Sequence, residues 1–130
     1  MTREELKAAA VAMLDRAYIP YSHFPVGAAL ECSDGTVFTG CNIENAAFGP
    51  TICAERTAIA KAVSEGHRDF VRIVIAGRSE GLCVPCGTCR QVLREFAPHI
   101  EVICLNGAGE ERTFTLEELL PYSFGPEYLQ

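Results

Sequence analysis

The chain has little positive charge: 11 Lys and Arg stand against 17 Asp and Glu, giving a formal net charge of −6. No run of basic residues occurs, so the positive stripe that a phosphate-neutralising surface needs is missing. This argues against a nucleic-acid binder. No apolar stretch approaches the ~20 residues that span a bilayer, so no helical membrane anchor is expected. Met1 to Lys7 is charged and no apolar segment follows it, so no secretory signal is expected either. Internal repeats, low-complexity tracts and long linkers are also missing. At 130 residues the length is that of one domain, 1–130, large enough for a core without disulfide staples. With 48% hydrophobic and 22% charged residues, wholesale disorder is excluded.

Cysteine, by contrast, is abundant, with seven in the chain. The count is odd, so a fully paired intrachain disulfide framework is impossible. The expected compartment is the reducing cytoplasm. There cysteines hold metals, take part in catalysis or pack as small buried hydrophobes.

The sequence predicts alternating helices and strands. Thr2-Arg3-Glu4-Glu5 fits a capping box, and Leu6, Ala9, Ala10, Met13, Leu14 and Ala17 recur at helical spacing, with a stop before Pro20. Val26 to Cys32 reads as a strand, Asp34-Gly35 as a hairpin turn and Thr36 to Cys41 as the returning strand. A second helix is expected from about Cys53 to Glu65, with Gly66 as its stop. The apolar run Phe70 to Gly77 predicts a strand covered on both faces. Pro85 is expected to open a third helix, Cys86 to Phe96. Glu101 to Leu105 and Arg112 to Thr115 read as strands, and Thr115-x-x-Glu118 caps a last short helix. The order α-β-β-α-β-α-β-β-α predicts an α/β fold, a central sheet with helices on both faces.

Two segments carry the chemistry: Cys53-Ala54-Glu55-Arg56 and Pro85-Cys86-Gly87-Thr88-Cys89, each at a predicted helix N-terminus. Cys86 and Cys89 are three apart and share a helix face. Free amides and the partial positive charge of a helix start favour thiolate, the form that binds metal. Two such starts brought together would offer three thiolates to one zinc ion. Structural zinc sites are usually closed by four protein ligands, whereas catalytic ones keep a place for water. Zinc lowers the pKa of a water it binds, and Glu55, two residues from one ligand, is placed to take and return the proton. A thioredoxin-like redox pair would not need Cys53-Ala54-Glu55. Cys83, Cys86 and Cys89 resemble the start of a ferredoxin cluster run, but Leu93 stands where the next cysteine belongs. A closed structural site recruiting Cys83, Cys41 or Cys104 remains an alternative. Cys32, Cys41 and Cys104 read as buried hydrophobes, Cys83 as a loop thiol and Arg90 as a surface group.

The first ligand with Glu two residues on, followed by Pro-Cys-x-x-Cys, resembles the zinc base deaminases. Nearly the whole chain is similar to the cytidine deaminase family, in its small homotetrameric form with three cysteine ligands. The matching segments, in order, are Pro20–Leu30, Gly40–Ala46, Ile52–Thr57, Pro85–Gln91 and Glu118–Pro121. The resemblance implies a three-layer α/β/α fold with a mixed five-stranded sheet. It implies that Cys53, Cys86 and Cys89 bind one Zn2+ and that Glu55 is the catalytic proton shuttle. It implies that Phe24 lies against the pyrimidine, that Asn42 and Glu44 hold the ribose, and that Ala54 belongs to the substrate site. Phe124 would reach a neighbouring subunit's pocket and cover the base. Arg56 would hydrogen-bond the ligand sulfurs and withdraw charge from a zinc–trithiolate of formal charge −1. The implied reaction is hydrolysis of cytidine and 2′-deoxycytidine to uridine and 2′-deoxyuridine with release of ammonia, a pyrimidine salvage step. The implied partners are a small pyrimidine nucleoside and further copies of the chain, with no nucleic acid and no membrane. One departure is Phe48, where the family often has Tyr; that hydroxyl is missing at a subunit contact or near the ribose. A related zinc deaminase acting on an aminonucleoside antibiotic or a nucleic acid, and a non-enzymatic zinc module, stay open at this point.

Overall fold

The computed structural model describes all 130 residues. Helix α1 (Arg3–Ala12) starts where the capping box places it. The Glu5 amide donates to the Thr2 hydroxyl at 3.1 Å, and the Glu5 carboxylate accepts the Thr2 amide at 3.0 Å. A 3₁₀ turn, Met13–Arg16, extends it. Strands β1 (Val26–Cys32) and β2 (Val37–Cys41) form the expected hairpin, with Gly35 at φ +90° in its turn. Helix α2 (Ala54–Ser64), strand β3 (Phe70–Gly77) and helix α3 (Gly87–Phe96) follow. Pro85 does not itself open α3: it stands two residues before Gly87, and Cys86 caps the helix. Strands β4 (Glu101–Leu105) and β5 (Glu111–Thr115) and the short helix α4 (Leu116–Leu119) complete the predicted order. The tail adds a 3₁₀ turn, Pro126–Leu129, which no sequence pattern announced.

The strands form one mixed sheet in the order β2-β1-β3-β4-β5. Only β3 and β4 are parallel, as the α3 crossover between them requires. Alternation along β3 explains its unbroken apolar run. Ile73 and Ile75 point into a core shared with Ala58, Ile59 and Ala62 of α2 and Leu93 of α3. Val74 and Ala76 point the other way, towards Leu6 and Ala10 of α1. Each such fully buried Val, Ile or Leu contributes roughly 1.5–3 kcal/mol. The sheet is thus the middle layer of three, as the resemblance implied.

Strand β5 forms one edge of the sheet. Arg3 of α1 reaches Glu101 at 3.0 Å and Glu111 at 3.4 Å, and Lys7 also pairs with Glu111. The pairing register brings the end of β2, the start of β1 and the end of β3 to one end of the sheet: Gly27 faces Cys41, and Val26 faces Gly77. The loops leading to α2 and α3 leave from that end, which is where the site lies.

Candidate active site

Both helix starts present their cysteines as the sequence suggests. Cys53 is the N-cap of α2, and Cys86 is the N-cap of α3, its sulfur accepting the Cys89 amide at 3.5 Å. The Cys53 and Cys86 sulfurs lie 3.6 Å apart, and all three sulfurs fall within 4.8 Å of one another. Ligands placed tetrahedrally around zinc at ~2.3 Å would be ~3.8 Å apart, so the group fits a zinc ion. No fourth His, Cys, Asp or Glu joins it. Cys41 and Cys83 stay outside the group, as do Cys32 and Cys104, all of them buried.

Arg56 follows one turn behind. Its guanidinium donates to the Cys53 sulfur at 3.6 Å, while its buried Nε has no partner. Hydrogen bonds from Cys89 and Arg56 pull the Cys53 thiol down to about 5. Cys89 is pushed up, because its proton is shared with Cys53 and it is buried. The surroundings of Cys53 thus favour its thiolate, the form that binds metal. Glu55 is 3% exposed, and burial, with the Cys53 charge adding, pushes its carboxyl up to about 7. That value suits a group that must both take and give a proton near neutral pH.

Cys53, Glu55 and Cys86 line a cleft of about 410 Å³, whose walls also include Phe24, Asn42, Glu44 and Ala54. Asn42 and Glu44 are already engaged. The Asn42 amide accepts from Val26 N at 2.9 Å and donates to the Phe24 carbonyl at 2.8 Å. One Glu44 oxygen accepts the Tyr21 and Ser22 amides at 3.0 and 3.1 Å. Both side chains therefore shape the loop that carries Phe24, including His23 at φ +57°. Strain of that kind persists only where the surroundings fix it. The second Glu44 oxygen takes no part in those two bonds. Phe24 remains 46% exposed, its ring open to the cleft.

Phe124 does not join this cleft within one chain. It stacks on Tyr128 with ring centroids 5.1 Å apart and borders a separate depression near Gln91. Arg90 is not a surface group, contrary to the sequence reading. It donates to the Pro85 carbonyl at 2.8 Å and the Leu119 carbonyl at 2.7 Å, tying the loop before α3 to α4. Cys83 lies in a loop outside the sulfur group, as the sequence reading has it, and is buried in the cleft wall, where burial pushes it up to about 11. Sequence reasoning passed over Ser22, Val26 and Val84, which also line the cleft. Their small polar or apolar side chains carry no chemical signal.

A three-layer α/β/α frame that gathers three cysteine sulfurs and one buried carboxyl at the same end of its sheet defines a zinc-dependent hydrolase of the deaminase type. A family model described as the cytidine and deoxycytidylate deaminase zinc-binding region matches residues 1–106. A cytidine deaminase of Sporosarcina psychrophila is 47% identical over 130 residues, covering 99% of this chain and 96% of that protein. One from Halalkalibacterium halodurans is 47% identical over 128 residues, covering 98% and 97%. The crystal structure of cytidine deaminase from Burkholderia pseudomallei superposes with a TM-score of 0.92 at 46% identity, covering 95% of this chain and all of that one. The chain belongs to the cytidine and deoxycytidylate deaminase family.

Proposed function

We propose that this chain is a cytidine deaminase of pyrimidine salvage, hydrolysing cytidine and 2′-deoxycytidine to uridine and 2′-deoxyuridine with release of ammonia. The observation that carries this is one cleft lined by Cys53 and Cys86 of a three-cysteine group that fits a metal, by the buried Glu55, and by Phe24, Asn42 and Glu44. Cys53, Cys86 and Cys89 would hold one zinc ion. Zinc supplies a Lewis acid that makes water nucleophilic at neutral pH.

The remaining work falls to side chains of this chain. Phe24 offers its face to the flat base. Asn42 and the free oxygen of Glu44 meet the sugar hydroxyls, the carboxylate as acceptor. Ala54 walls the base site without bulk. Glu55 takes a proton from the attacking water and delivers it to N3 of the base, and oxygen bonds to C4. Glu55 then carries the remaining hydroxyl proton to the amino nitrogen; the C4–N bond breaks, ammonia leaves and the carbonyl forms. Arg56 draws charge from the Cys53 sulfur. The family also includes deoxycytidylate deaminases, which act on a phosphorylated substrate. No Lys or Arg lines this cleft, and Glu44 and Glu55 do. A phosphate there would meet repulsion, so the unphosphorylated nucleoside is the better fit. Cytidine incubated with the zinc-loaded protein is expected to show the ultraviolet change of uridine formation with equimolar ammonia. Zinc-loaded protein that leaves cytidine unchanged would defeat this reading.

We further infer one deaminase domain over residues 1–130, working in the cytoplasm as a homotetramer. No helix is long and apolar enough to cross a membrane. The tail leaves Tyr122, Phe124, Tyr128 and Leu129 exposed, an apolar surface that association would cover. In that assembly Phe124 closes a neighbour's cleft and keeps water away from the base. Light scattering is expected to give about four chain masses. Phe124→Ala is expected to raise KM while leaving zinc content intact; a fully active monomer would contradict both statements.

A further inference from the structure

The two ends of the cleft belong to different elements. Cys53 and Glu55 ride on α2, whereas Asn42 and the loop it holds ride on the end of β2. Between them run residues 43–52, an irregular connection whose regular pairing is the Ile43–Ile52 bridge. That bridge closes the connection with two backbone hydrogen bonds of 3.0 Å between its end residues. A second tie joins the first turn of α2 directly to β2.

Thr57 sits at that joint. Its hydroxyl lies 3.1 Å from the Cys53 carbonyl and 3.0 Å from the Cys41 carbonyl. The hydroxyl shares its one proton between the two carbonyls; the first contact is the usual one of a helical threonine to the residue four before it. The second crosses to β2, to the residue immediately before Asn42. The backbones meet closely here: a Cβ on Gly40 would come within 2.3 Å of the Ala54 carbonyl oxygen and 2.7 Å of the Ala58 nitrogen. A short path results, from Cys53 through the Thr57 hydroxyl to Cys41, along the chain to Asn42, and through its amide to Phe24.

We propose that Thr57 is a positioning residue, its hydroxyl locking the metal-binding, proton-carrying end of the cleft to the end that holds base and sugar. Thr57 need not touch substrate. It sets where C4 and N3 of a base lying on Phe24 fall relative to Cys53 and Glu55. A misplacement of about 1 Å at such a point can cost ~10²-fold in rate. The proposal rests on the cytidine deaminase reading, so its test includes a readout that needs no substrate.

Thr57→Val removes the hydroxyl at nearly constant volume, and Thr57→Ser keeps it. The valine variant is expected to bind one zinc per chain with KM for cytidine within about twofold of wild type and kcat lower by at least ~10-fold. The serine variant is expected to recover most of that loss. With Co(II) in place of zinc, the thiolate and ligand-field absorption bands are expected to shift in Thr57→Val and return in Thr57→Ser, because the Cys53 turn is no longer held. Should the valine protein not fold, Thr57→Ala removes the hydroxyl without bulk and is read in the same way. Wild-type kcat with unshifted Co(II) bands in the hydroxyl-free variant would overturn the proposal. A serine variant as impaired as the valine variant would overturn it too, by assigning the effect to the methyl group. If wild-type protein leaves cytidine unchanged, the functional reading fails, while the Co(II) bands still decide the role of Thr57.

Discussion

Glu55→Gln is expected to keep its zinc and lose turnover by at least ~10²-fold. Glutamine preserves the shape of the side chain and its capacity for hydrogen bonding, so the first turn of α2 and the three sulfurs around it should stay in place. Its amide cannot accept the proton of the attacking water or carry one to N3. The buried setting that pushes the Glu55 carboxyl up to about 7 would suit the proposed shuttle, and the one other carboxyl lining the cleft is that of Glu44. One Glu44 oxygen is committed to the Tyr21 and Ser22 amides. Zinc analysis and steady-state rates on the same preparation check the expectation. Near-normal turnover in a zinc-loaded Glu55→Gln protein would remove Glu55 from the mechanism.

The second large effect concerns the metal ligands. Cys53→Ala, Cys86→Ala and Cys89→Ala are each expected to abolish activity and to lose zinc on dialysis, whereas Cys83→Ala and Cys41→Ala are expected to keep both. A site with only three protein ligands has none to spare, and a lost thiolate removes both a bond and a charge. Cys89 is fully buried, so its truncation also opens a cavity and should lower thermal stability more than that of the exposed Cys86. Cys83 is the informative control. It lies in the wall of the same cleft yet outside the sulfur cluster, and burial holds it as a thiol. Loss of zinc from Cys83→Ala would mean a site closed by four sulfurs and would overturn the open-site mechanism.

What the sequence revealed, and what it did not, follows the range of the forces involved. The capping boxes at Thr2 and Thr115, the run of β3 and the hairpin around Gly35 are local patterns, and the structure reproduces each. The cysteine cluster was legible because metal chemistry restricts residue type and spacing so tightly. Arg90 was misread because one of its two partners, the Leu119 carbonyl, is 29 residues away, and the other, the Pro85 carbonyl, is a backbone group that leaves no mark in the sequence. The engagement of Asn42 and Glu44 with the Phe24 loop was hidden for the same reason, since those contacts span 16 to 23 residues. Nothing in the local sequence marks Thr57, whose second acceptor lies on β2, 16 residues away.

The charged border of β5 bears on how copies of this chain can meet. An edge strand with free amides and carbonyls invites another strand to pair with it, and open-ended stacking follows. Here Glu111 is held by Arg3 and Lys7, and Arg112 lies over Phe114, its Cζ 4.7 Å from the ring centroid. As surface pairs these add little stability. An incoming strand would have to strip water from that border without offering matching charge. Growth by sheet extension is thereby disfavoured at β5, and the homotetramer proposed above would close through other surfaces, the exposed aromatic tail among them.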